Sequence, residues 1–276
     1  MNTKPLGHPT GQPIGVFDSG IGGLSVLKAL RAELPHEDFV YVADSGHAPY
    51  GERDEAFVIE RSQRIAQHLH TQHHIKALVV ACNTATAAAI SALRQAYPDL
   101  PIIGIEPALK PALAQSQTRR IGVWATRGTL GSAKFAALLA LLAPQADFVC
   151  QSCDGLADAI ERQDKSKIRA LCTDYIRATG QFGLKNGEID TLVLGCTHYP
   201  FASAELRKLV GPDVHLIDNG AAVASQTRRL LTELANSPTP GRCLLITTGD
   251  PASVQRAAQH WLGLDCPVQA LREAAG

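Results

Sequence analysis

The sequence predicts an α/β fold made of two similar parallel-sheet domains related by pseudo-two-fold symmetry, with the candidate active site in the cleft between them. Short apolar runs rich in β-branched residues alternate with amphipathic helical stretches, a pattern typical of parallel sheets covered by helices. Strand starts of the same composition recur at Ile14 and Ile121. Cysteines in matching settings recur at Cys82 and Cys196, at similar distances along the chain from those starts.

In the first part of the chain, each predicted strand is a short apolar run, and each predicted helix spaces its apolar residues three or four positions apart. The strands are predicted at Ile14–Asp18, Phe39–Ala43, Ile75–Ala81 and Ile102–Ile105. The helices are predicted near Leu24–Leu34, Glu55–His70 and Thr84–Tyr97. Pro107 and Pro111 then interrupt the alternation.

The alternation resumes after these prolines and continues almost to the end of the chain. The strands are predicted at Arg120–Ala125, Asp147–Gln151, Thr191–Leu194, Val214–Ile217 and Arg242–Thr247. The helices are predicted near Ser132–Leu142, Lys165–Thr179, Ala202–Leu209, Ala221–Ala235 and Ala252–Leu262. We therefore expect a flexible tail at 1–13, a first domain formed by 14–106 plus 215–276, and a second domain at 107–214.

Composition narrows the classes of protein to which the chain can belong. The 276 residues carry 26 basic and 26 acidic side chains, so a nucleic-acid partner lacks the usual basic surface. No apolar stretch reaches the length of a membrane span, so no membrane contact is expected. Residues 1–13 lack the apolar core of a signal peptide. The seven cysteines, an odd number, favour reduced thiols in the cytoplasm over a disulfide framework.

Two cysteines each follow a buried strand and precede a helix. The first setting reads Ala77-Leu-Val-Val-Ala-Cys82-Asn83-Thr84, and the second reads Thr191-Leu-Val-Leu-Gly-Cys196-Thr197-His198. The positive end of a helix dipole favours the thiolate, so both positions suit acid–base chemistry. A buried cysteine is also common in protein cores, and Asn or Thr at a helix start is also an ordinary cap. The duplication favours a functional pair.

The stretch Asp18-Ser19-Gly20-Ile21-Gly22-Gly23 follows the first strand and opens the first helix. It does not fit a dinucleotide fingerprint, since Ser25 stands where the third glycine is required. Its backbone N–H groups can bind a small anion such as a carboxylate, and a tight turn with an incidental acid is an equal alternative. His198, two residues beyond Cys196, can accept or relay a proton near neutral pH.

A loop ending in Pro49-Tyr50-Gly51 follows the second strand and either covers a ligand or forms a surface turn.

Four histidines cluster at a predicted helix end, namely His68, His70, His73 and His74. No cysteine or carboxylate completes a ligand set there, so we predict no metal site. Cys150 and Cys153 lack a second cysteine pair at zinc spacing and are interpreted as buried or incidental thiols.

Six motifs together span almost the whole chain. They are Ile14–Gly23 with Leu24, Pro49-Tyr50-Gly51, Val80-Ala-Cys82-Asn83-Thr84-Ala85, Gly195-Cys196-Thr197-His198-Tyr199-Pro200, Asp218-Asn-Gly220 with Ala222-Val223-Ala224, and Thr247-Thr-Gly249-Asp250-Pro251. In this order they resemble the glutamate racemase family, within the cofactor-independent aspartate/glutamate racemase superfamily. The paired cysteine motif is the specific part of the resemblance.

The resemblance implies two α/β domains around one active site, free glutamate as substrate, and supply of D-glutamate for peptidoglycan. It implies substrate contacts at four residue pairs, namely Asp18-Ser19, Tyr50-Gly51, Asn83-Thr84 and Thr197-His198. It also implies that Cys82 deprotonates the D-enantiomer and Cys196 the L-enantiomer. The chain departs from the family where His47 replaces a frequent arginine, and where Asp154 and Asp158 replace prolines around Glu161. These departures leave the roles of His47 and Glu161 open.

Racemisation breaks and remakes a Cα–H bond, and two bases on opposite faces of the substrate can do this without moving. We expect Asp18 and His198 to assist Cys82 and Cys196, one beside each thiol. The sequence shows no recognisable pyridoxal-phosphate lysine, so no cofactor is predicted. The expected partner is a small molecule, glutamate, and a homodimer is left open.

Two other classes of function compete with a racemase. A cysteine hydrolase would use Cys196 as nucleophile and His198 as base, but it leaves Cys82 unexplained. An amino-acid-binding or regulatory protein would use the cleft without turnover.

Overall fold

The computed structural model describes residues 11–231 and 239–271. Its strands are β1 (Ile14–Asp18), β2 (Phe39–Ala43), β3 (Ala77–Val80), β4 (Ile102–Gly104), β5 (Arg120–Ala125), β6 (Asp147–Ser152), β7 (Thr191–Leu194), β8 (His215–Ile217), β9 (Cys243–Thr247) and β10 (Val268–Ala270). Its α-helices are α1 (Leu24–Glu33), α2 (Glu55–His73), α3 (Asn83–Ala96), α4 (Leu109–Gln115), α5 (Arg127–Leu130), α6 (Ala133–Leu142), α7 (Leu156–Glu161), α8 (Lys165–Thr179), α9 (Ser203–Val210), α10 (Gly220–Leu230) and α11 (Pro251–Leu262).

Two parallel sheets are present in the described part of the chain. The first has the order β10-β9-β2-β1-β3-β4, and the second has the order β6-β5-β7-β8. All the strand pairs within both sheets are parallel. Each sheet therefore gathers the carboxyl ends of its strands at one edge, where ligands bind in folds of this kind. The predicted fold class is confirmed.

The central strands are buried on both faces, which explains why they read as continuous apolar runs rather than as alternating patterns. Every residue of β1, β2, β3 and β7 is buried. The core includes large side chains from both domains, among them Phe17, Tyr41 and Trp124. These rigid sheets fix the positions of the loops that follow them.

The chain crosses between the sheets twice, once between β4 and β5 and once between β8 and α10. The predicted return to the first domain at residue 215 differs from the strand pairing, because His215–Ile217 pairs with β7 in the second sheet. A strand this short needs the backbone of β7 to satisfy its N–H and C=O groups. The chain thus leaves the second sheet after Ile217, and the other domain limits stay predictions.

Several short elements were not predicted from the sequence. They are α4, α5, α7 and β10, together with short 3₁₀ turns such as Tyr50–Glu52. The predicted helix at Ala221–Ala235 is observed as α10, and residues 232–235 lie outside the described residues. Most of the predicted tail, residues 1–10, lies outside them as well. None of the described helices is long and apolar enough to cross a membrane.

Candidate active site

The carboxyl ends of the central strands deliver the candidate residues to one buried site. Asp18 is the last residue of β1, and Cys82 and Cys196 each lie two residues beyond a strand end. Both thiols are almost completely buried, at 5% and 6% exposure. The Cys82 sulfur lies 3.9 Å from the Ser19 hydroxyl, and Thr197, the residue after Cys196, bonds to Asp18, the residue before Ser19. The structure therefore brings the two predicted cysteines together.

Asp18 occupies the centre of the site. Its carboxylate accepts hydrogen bonds from the backbone N–H of Ser19 at 2.7 Å and from that of Gly23. It also accepts one from the Thr197 hydroxyl, at 3.1 Å, which links the two domains. Burial raises the pKa of Asp18, and the nearby charge of His198 opposes part of that rise. The predicted glycine-rich turn therefore binds the chain's own carboxylate.

The Cys82 sulfur caps α3 by accepting the backbone N–H of Ala85 at 3.4 Å, and it lies 3.9 Å from the Ser19 hydroxyl. Burial raises the pKa of Cys82 well above its ordinary value, and the charge of Asp18 raises it further. The Ala85 N–H acts in the opposite direction. The start of α3 thus acts in the predicted direction at Cys82, but desolvation outweighs it and the pKa is raised on balance.

Cys196 belongs to a second arrangement with His198 and Glu161. The Cys196 sulfur lies 3.7 Å from Nδ1 of His198, and Nε2 of His198 lies 2.6 Å from Oε1 of Glu161. Burial alone would lower the pKa of His198, but hydrogen bonds with Cys196 and Glu161 raise it well above its ordinary value. An imidazolium next to Cys196 can pair with a thiolate there. The structure thus places Glu161 against the His198 nitrogen that does not face Cys196.

Glycines let the second domain approach the first-domain turn closely. A Cβ added at Gly20 would lie 1.8 Å from Oε1 of Glu161, and one at Gly22 would lie 2.3 Å from Nδ1 of His198. Glu161 also accepts the backbone N–H of Ile21 at 2.6 Å. The turn after β1 is thus shaped to receive the His198–Glu161 pair.

The loop containing Tyr50 is held by a buried ion pair. The Tyr50 hydroxyl donates to Asp44, and the Arg61 guanidinium binds the same carboxylate through two contacts of 2.9 Å. Thr248 donates to Asp44 at 2.7 Å, and Nδ1 of His47 lies 3.0 Å from it. Since the Tyr50 hydroxyl donates to Asp44, it has no hydrogen left to donate to a ligand carboxylate.

The predicted polar residues after Cys82 also join the site. The Thr84 hydroxyl lies 3.0 Å from that of Thr126 in the second domain. The Asn83 amide oxygen accepts Nδ2 of Asn219 at 3.4 Å. Lys134 of α6 reaches the Thr86 carbonyl of α3 at 3.2 Å and adds a further link between the domains.

Sequence reasoning assigned no role to four residues that shape the site, namely Asp44, Arg61, Thr126 and Asn219. Asp44 follows β2 and Thr126 follows β5, each at the edge of a sheet where ligands bind, so both positions carried a signal. Asn219 lies inside the Asp218-Asn-Gly220 motif. Arg61 lies within α2, and no local pattern identifies its partner Asp44.

No cluster of three His, Cys, Asp or Glu side chains that could hold a metal ion occurs at 11–231 or 239–271. In the histidine cluster, the rings of His68 and His73 contact each other with centroids 5.2 Å apart. Cys150 is exposed and Cys153 is buried.

A cavity of about 350 Å³ lies beside the site. Its lining includes Pro107 and Asn219, one from each of the two segments where the chain crosses between the sheets.

The fold and the site define a two-domain α/β protein with two buried thiols in one interdomain site. The family model described as Asp/Glu/Hydantoin racemase matches residues 15–227. The chain belongs to this family.

Similar proteins support the same assignment. The glutamate racemase of Pseudomonas syringae pv. tomato is 49% identical over 241 residues, which is 86% of each chain. The crystal structure of glutamate racemase isoform RacE1 from Bacillus anthracis has a TM-score of 0.83 and 32% identity, covering 95% of this chain and 98% of that one. The Escherichia coli glutamate racemase, solved with L-glutamate and the activator UDP-MurNAc-ala, has a TM-score of 0.80 and 29% identity, covering 95% and 98%.

Proposed function

We propose that this protein interconverts L- and D-glutamate by a two-base mechanism in which Cys82 and Cys196 act on opposite faces of Cα. Family membership and the similarity to glutamate racemases make the chain an amino-acid racemase. The observation that supports the mechanism is the pair of buried thiols, one contributed by each domain and each with a different acid–base partner. No cofactor or metal takes part in this proposal.

In the L-to-D direction, Cys196 as a thiolate takes the Cα proton of L-glutamate. The bond between hydrogen and Cα breaks, a hydrogen–sulfur bond forms, and the electron pair stays on the substrate as a carbanion. The Cys82 thiol then donates its proton to the opposite face and becomes the thiolate. The raised pKa of Cys82 keeps it protonated for this step, and the imidazolium of His198 pairs with the Cys196 thiolate beforehand.

The reverse direction exchanges these roles. Cys82 takes the proton of D-glutamate, and Cys196 supplies one to the other face. Asp18, whose pKa is raised by burial, lies next to Cys82 and is placed to exchange a proton with it. His198 and Glu161 serve Cys196 in the same way.

Uncharged donors around the thiols are suited to the two carboxylates of glutamate. Asn83 and Thr84 open α3 next to Cys82, whereas the hydroxyls of Ser19 and Thr197 donate to Asp18 and bind a substrate carboxylate only by turning from Asp18 to it. The backbone N–H groups of Tyr50 and Gly51 are further donors, from the loop between β2 and α2. Together with Asp18 and His198, these residues form the proposed substrate-binding set. Hydrogen-bond donors in a buried site bind carboxylates more strongly than they do in water.

The product D-glutamate is used for peptidoglycan synthesis, the role of the glutamate racemase family. The free state of all seven cysteines fits a reducing compartment and supports our proposal of a cytoplasmic location. A homodimer is a further proposal, and light scattering decides it by comparing the mass in solution with the 29.4 kDa of one chain.

Solvent exchange tests the two-base proposal. In deuterated water the donating thiol carries deuterium, so product of inverted configuration gains deuterium at Cα on essentially every turnover. Recovered substrate gains little deuterium at early times. The thiol that took its proton is the one that returns it, and that thiol is not the deuterated donor. Mass spectra showing unlabelled inverted product, or equal labelling of both enantiomers from the start, would contradict two opposed bases.

Circular dichroism separates the competing classes of function. With L-glutamate as substrate, the optical signal decays to zero only if the protein racemises it. A cysteine hydrolase or an amino-acid-binding protein leaves the signal of glutamate unchanged.

A further inference from the structure

We infer that Asn219 is a positioning residue for the racemase reaction, which acts by fixing the orientation of the Asn83 amide so that its donor end faces the substrate. The inference rests on the proposed role of Asn83 in substrate binding. It extends that role to a residue 136 positions away in the sequence.

The two amides are buried against each other. Asn83 is 3% exposed and Asn219 is 5% exposed. Nδ2 of Asn219 donates to Oδ1 of Asn83 across 3.4 Å. Neither Nδ2 of Asn83 nor Oδ1 of Asn219 has a hydrogen-bond partner among the described residues. Each amide thus uses one end in the pair and leaves the other end unpaired inside the protein.

A buried amide donor without a partner is unfavourable, so the free end of Asn83 requires an acceptor. Asn83 directly follows Cys82, which places this donor next to a proposed catalytic thiol. A substrate carboxylate is an acceptor of the right charge. An amide that turned over would instead present its oxygen and repel that carboxylate. The bond from Asn219 prevents this, because it engages the Asn83 oxygen.

The position of Asn219 makes it specific to this task. It immediately precedes α10, yet its side chain makes no cap hydrogen bond with that helix. The residue lies where the chain leaves β8 in the second sheet and enters α10, and it also contributes to the lining of the 350 Å³ cavity. Removing its side chain therefore costs the helix no capping interaction, and the main change is at Asn83.

Three variants test the inference through initial rates with both enantiomers. Asn219→Leu removes the donor, and we expect the KM for glutamate to rise about threefold. Asn219→Asp should raise KM about tenfold, because a carboxylate can only accept hydrogen bonds and draws Nδ2 of Asn83 toward itself. We expect kcat to stay within about twofold, since the interaction concerns binding rather than the proton transfers. Gln226→Ala, in the same helix and cavity lining, is the matched control and should keep the wild-type KM.

The double variants separate an effect through Asn83 from a general effect of added charge or lost stability. In an Asn83→Ala background, neither substitution at Asn219 should change KM further, because two residues acting on one interaction are not additive. Additive effects would overturn the inference, as would a normal KM in Asn219→Leu. A normal KM in Asn219→Asp alone would show that Asn83 donates to Asn219, the opposite orientation. If the wild-type protein leaves the optical signal of glutamate unchanged, the proposed function itself fails.

Discussion

The two thiols have different electrostatic surroundings, although the sequence presents them in matching settings. Cys82 lies beside the carboxylate of Asp18, and its pKa is raised by burial first and by that charge second. Cys196 lies beside His198, whose pKa is raised because its bonds to Cys196 and Glu161 outweigh its burial. These surroundings are the ones that the proposed L-to-D step requires, in which Cys196 takes a proton and Cys82 gives one.

Replacing either thiol tests the assignment of the two bases. Cys82→Ser and Cys196→Ser should each abolish racemisation, measured by circular dichroism of glutamate, because a serine hydroxyl is too weak an acid to replace a thiol. Cys172→Ser is the matched control, since Cys172 is a buried thiol whose pKa burial raises to about 12 and which takes no part in the site. Near-normal racemisation in either active-site variant would contradict two essential bases.

The pair formed by His198 and Glu161 gives a pH-dependent prediction. Glu161→Gln removes the charge that supports the imidazolium, so the pKa of His198 should fall. As pH rises, the variant should therefore lose L-to-D activity at a lower pH than the wild type does. A raised folded-state pKa stabilises the protein below the unfolded value, near 6.5, and this stabilisation disappears as pH rises through the folded value.

Urea unfolding at several pH values provides the measurement. At pH 6 we expect Glu161→Gln to lose about 1.5–3 kcal/mol, the range for a hydrogen bond to a charged group, and to approach the wild type at high pH. Asp158→Asn, in the same helix but paired with the more exposed Arg162 and Lys167, controls for loss of an acid. A stability difference that stays constant with pH would show that Glu161 does not influence the protonation of His198.

At the scale of single elements, the turn between β1 and α1 has a shape that only glycine permits. Gly22→Ala should push the His198 ring away from Cys196 and lower kcat about 100-fold, the effect of misplacing a catalytic group by roughly 1 Å. Gly131→Ala should lower kcat far less, because it lies away from His198, its nearest new neighbour is a carbonyl oxygen 3.3 Å away and its φ of −79° suits alanine. Wild-type kcat in Gly22→Ala would show that the turn and His198 move apart readily.

The connection from β2 to α2 depends on the Asp44–Arg61 ion pair. Tyr50→Phe removes one of several bonds to Asp44 and should cost about 1–2 kcal/mol in urea unfolding. Arg61→Ala leaves a buried carboxylate without its charged partner and should cost about 3–5 kcal/mol. KM should change little in Tyr50→Phe, since the hydroxyl is already engaged. A large rise in KM would indicate that the hydroxyl binds glutamate, and Tyr97→Phe, at a half-buried tyrosine outside the site, controls for the chemical change.

Strands were easier to predict than the contacts between elements. β1, β2, β5 and β7 have the predicted bounds, because a buried parallel strand is an uninterrupted apolar run. α7 was missed because it is short and follows Gly155, which has a positive φ of 74°. α4 was missed because Pro107 and Pro111 read as breaks, although Pro111 is tolerated in the first turn of the helix. The role of Glu161 depends on α7 and could not be derived from spacing.

At the scale of the whole molecule, the site exists only where the two domains meet. Asp18 accepts from Thr197, Thr84 contacts Thr126, and Glu161 accepts from Ile21, so each link joins one domain to the other. The sequence predicted two domains and a shared cleft. It could not predict these links, because each depends on the relative placement of segments far apart in the chain.

These links predict that substrate stabilises the whole chain. Glutamate at 100 times its Kd should add about 2.7 kcal/mol to the free energy of unfolding, because the ligand binds only the folded site. Thermal unfolding should then shift as a single transition, since the ligand contacts both domains. Glutarate, the same five-carbon dicarboxylate without the amino group, is a suitable comparison ligand. A glutamate-induced shift confined to one of two separate transitions would contradict a shared site.

The insertion of one domain within the other also determines the order in which the protein can fold during synthesis. β2 lies inside the first sheet between β1 and β9, yet β9 leaves the ribosome only after the entire second domain. Until Cys243–Thr247 emerges, β2 is an apolar edge strand whose N–H and C=O groups on one side have no neighbour. The nascent chain therefore carries an unpaired edge strand through most of its synthesis. Premature termination before residue 243 leaves a product prone to pair with other chains.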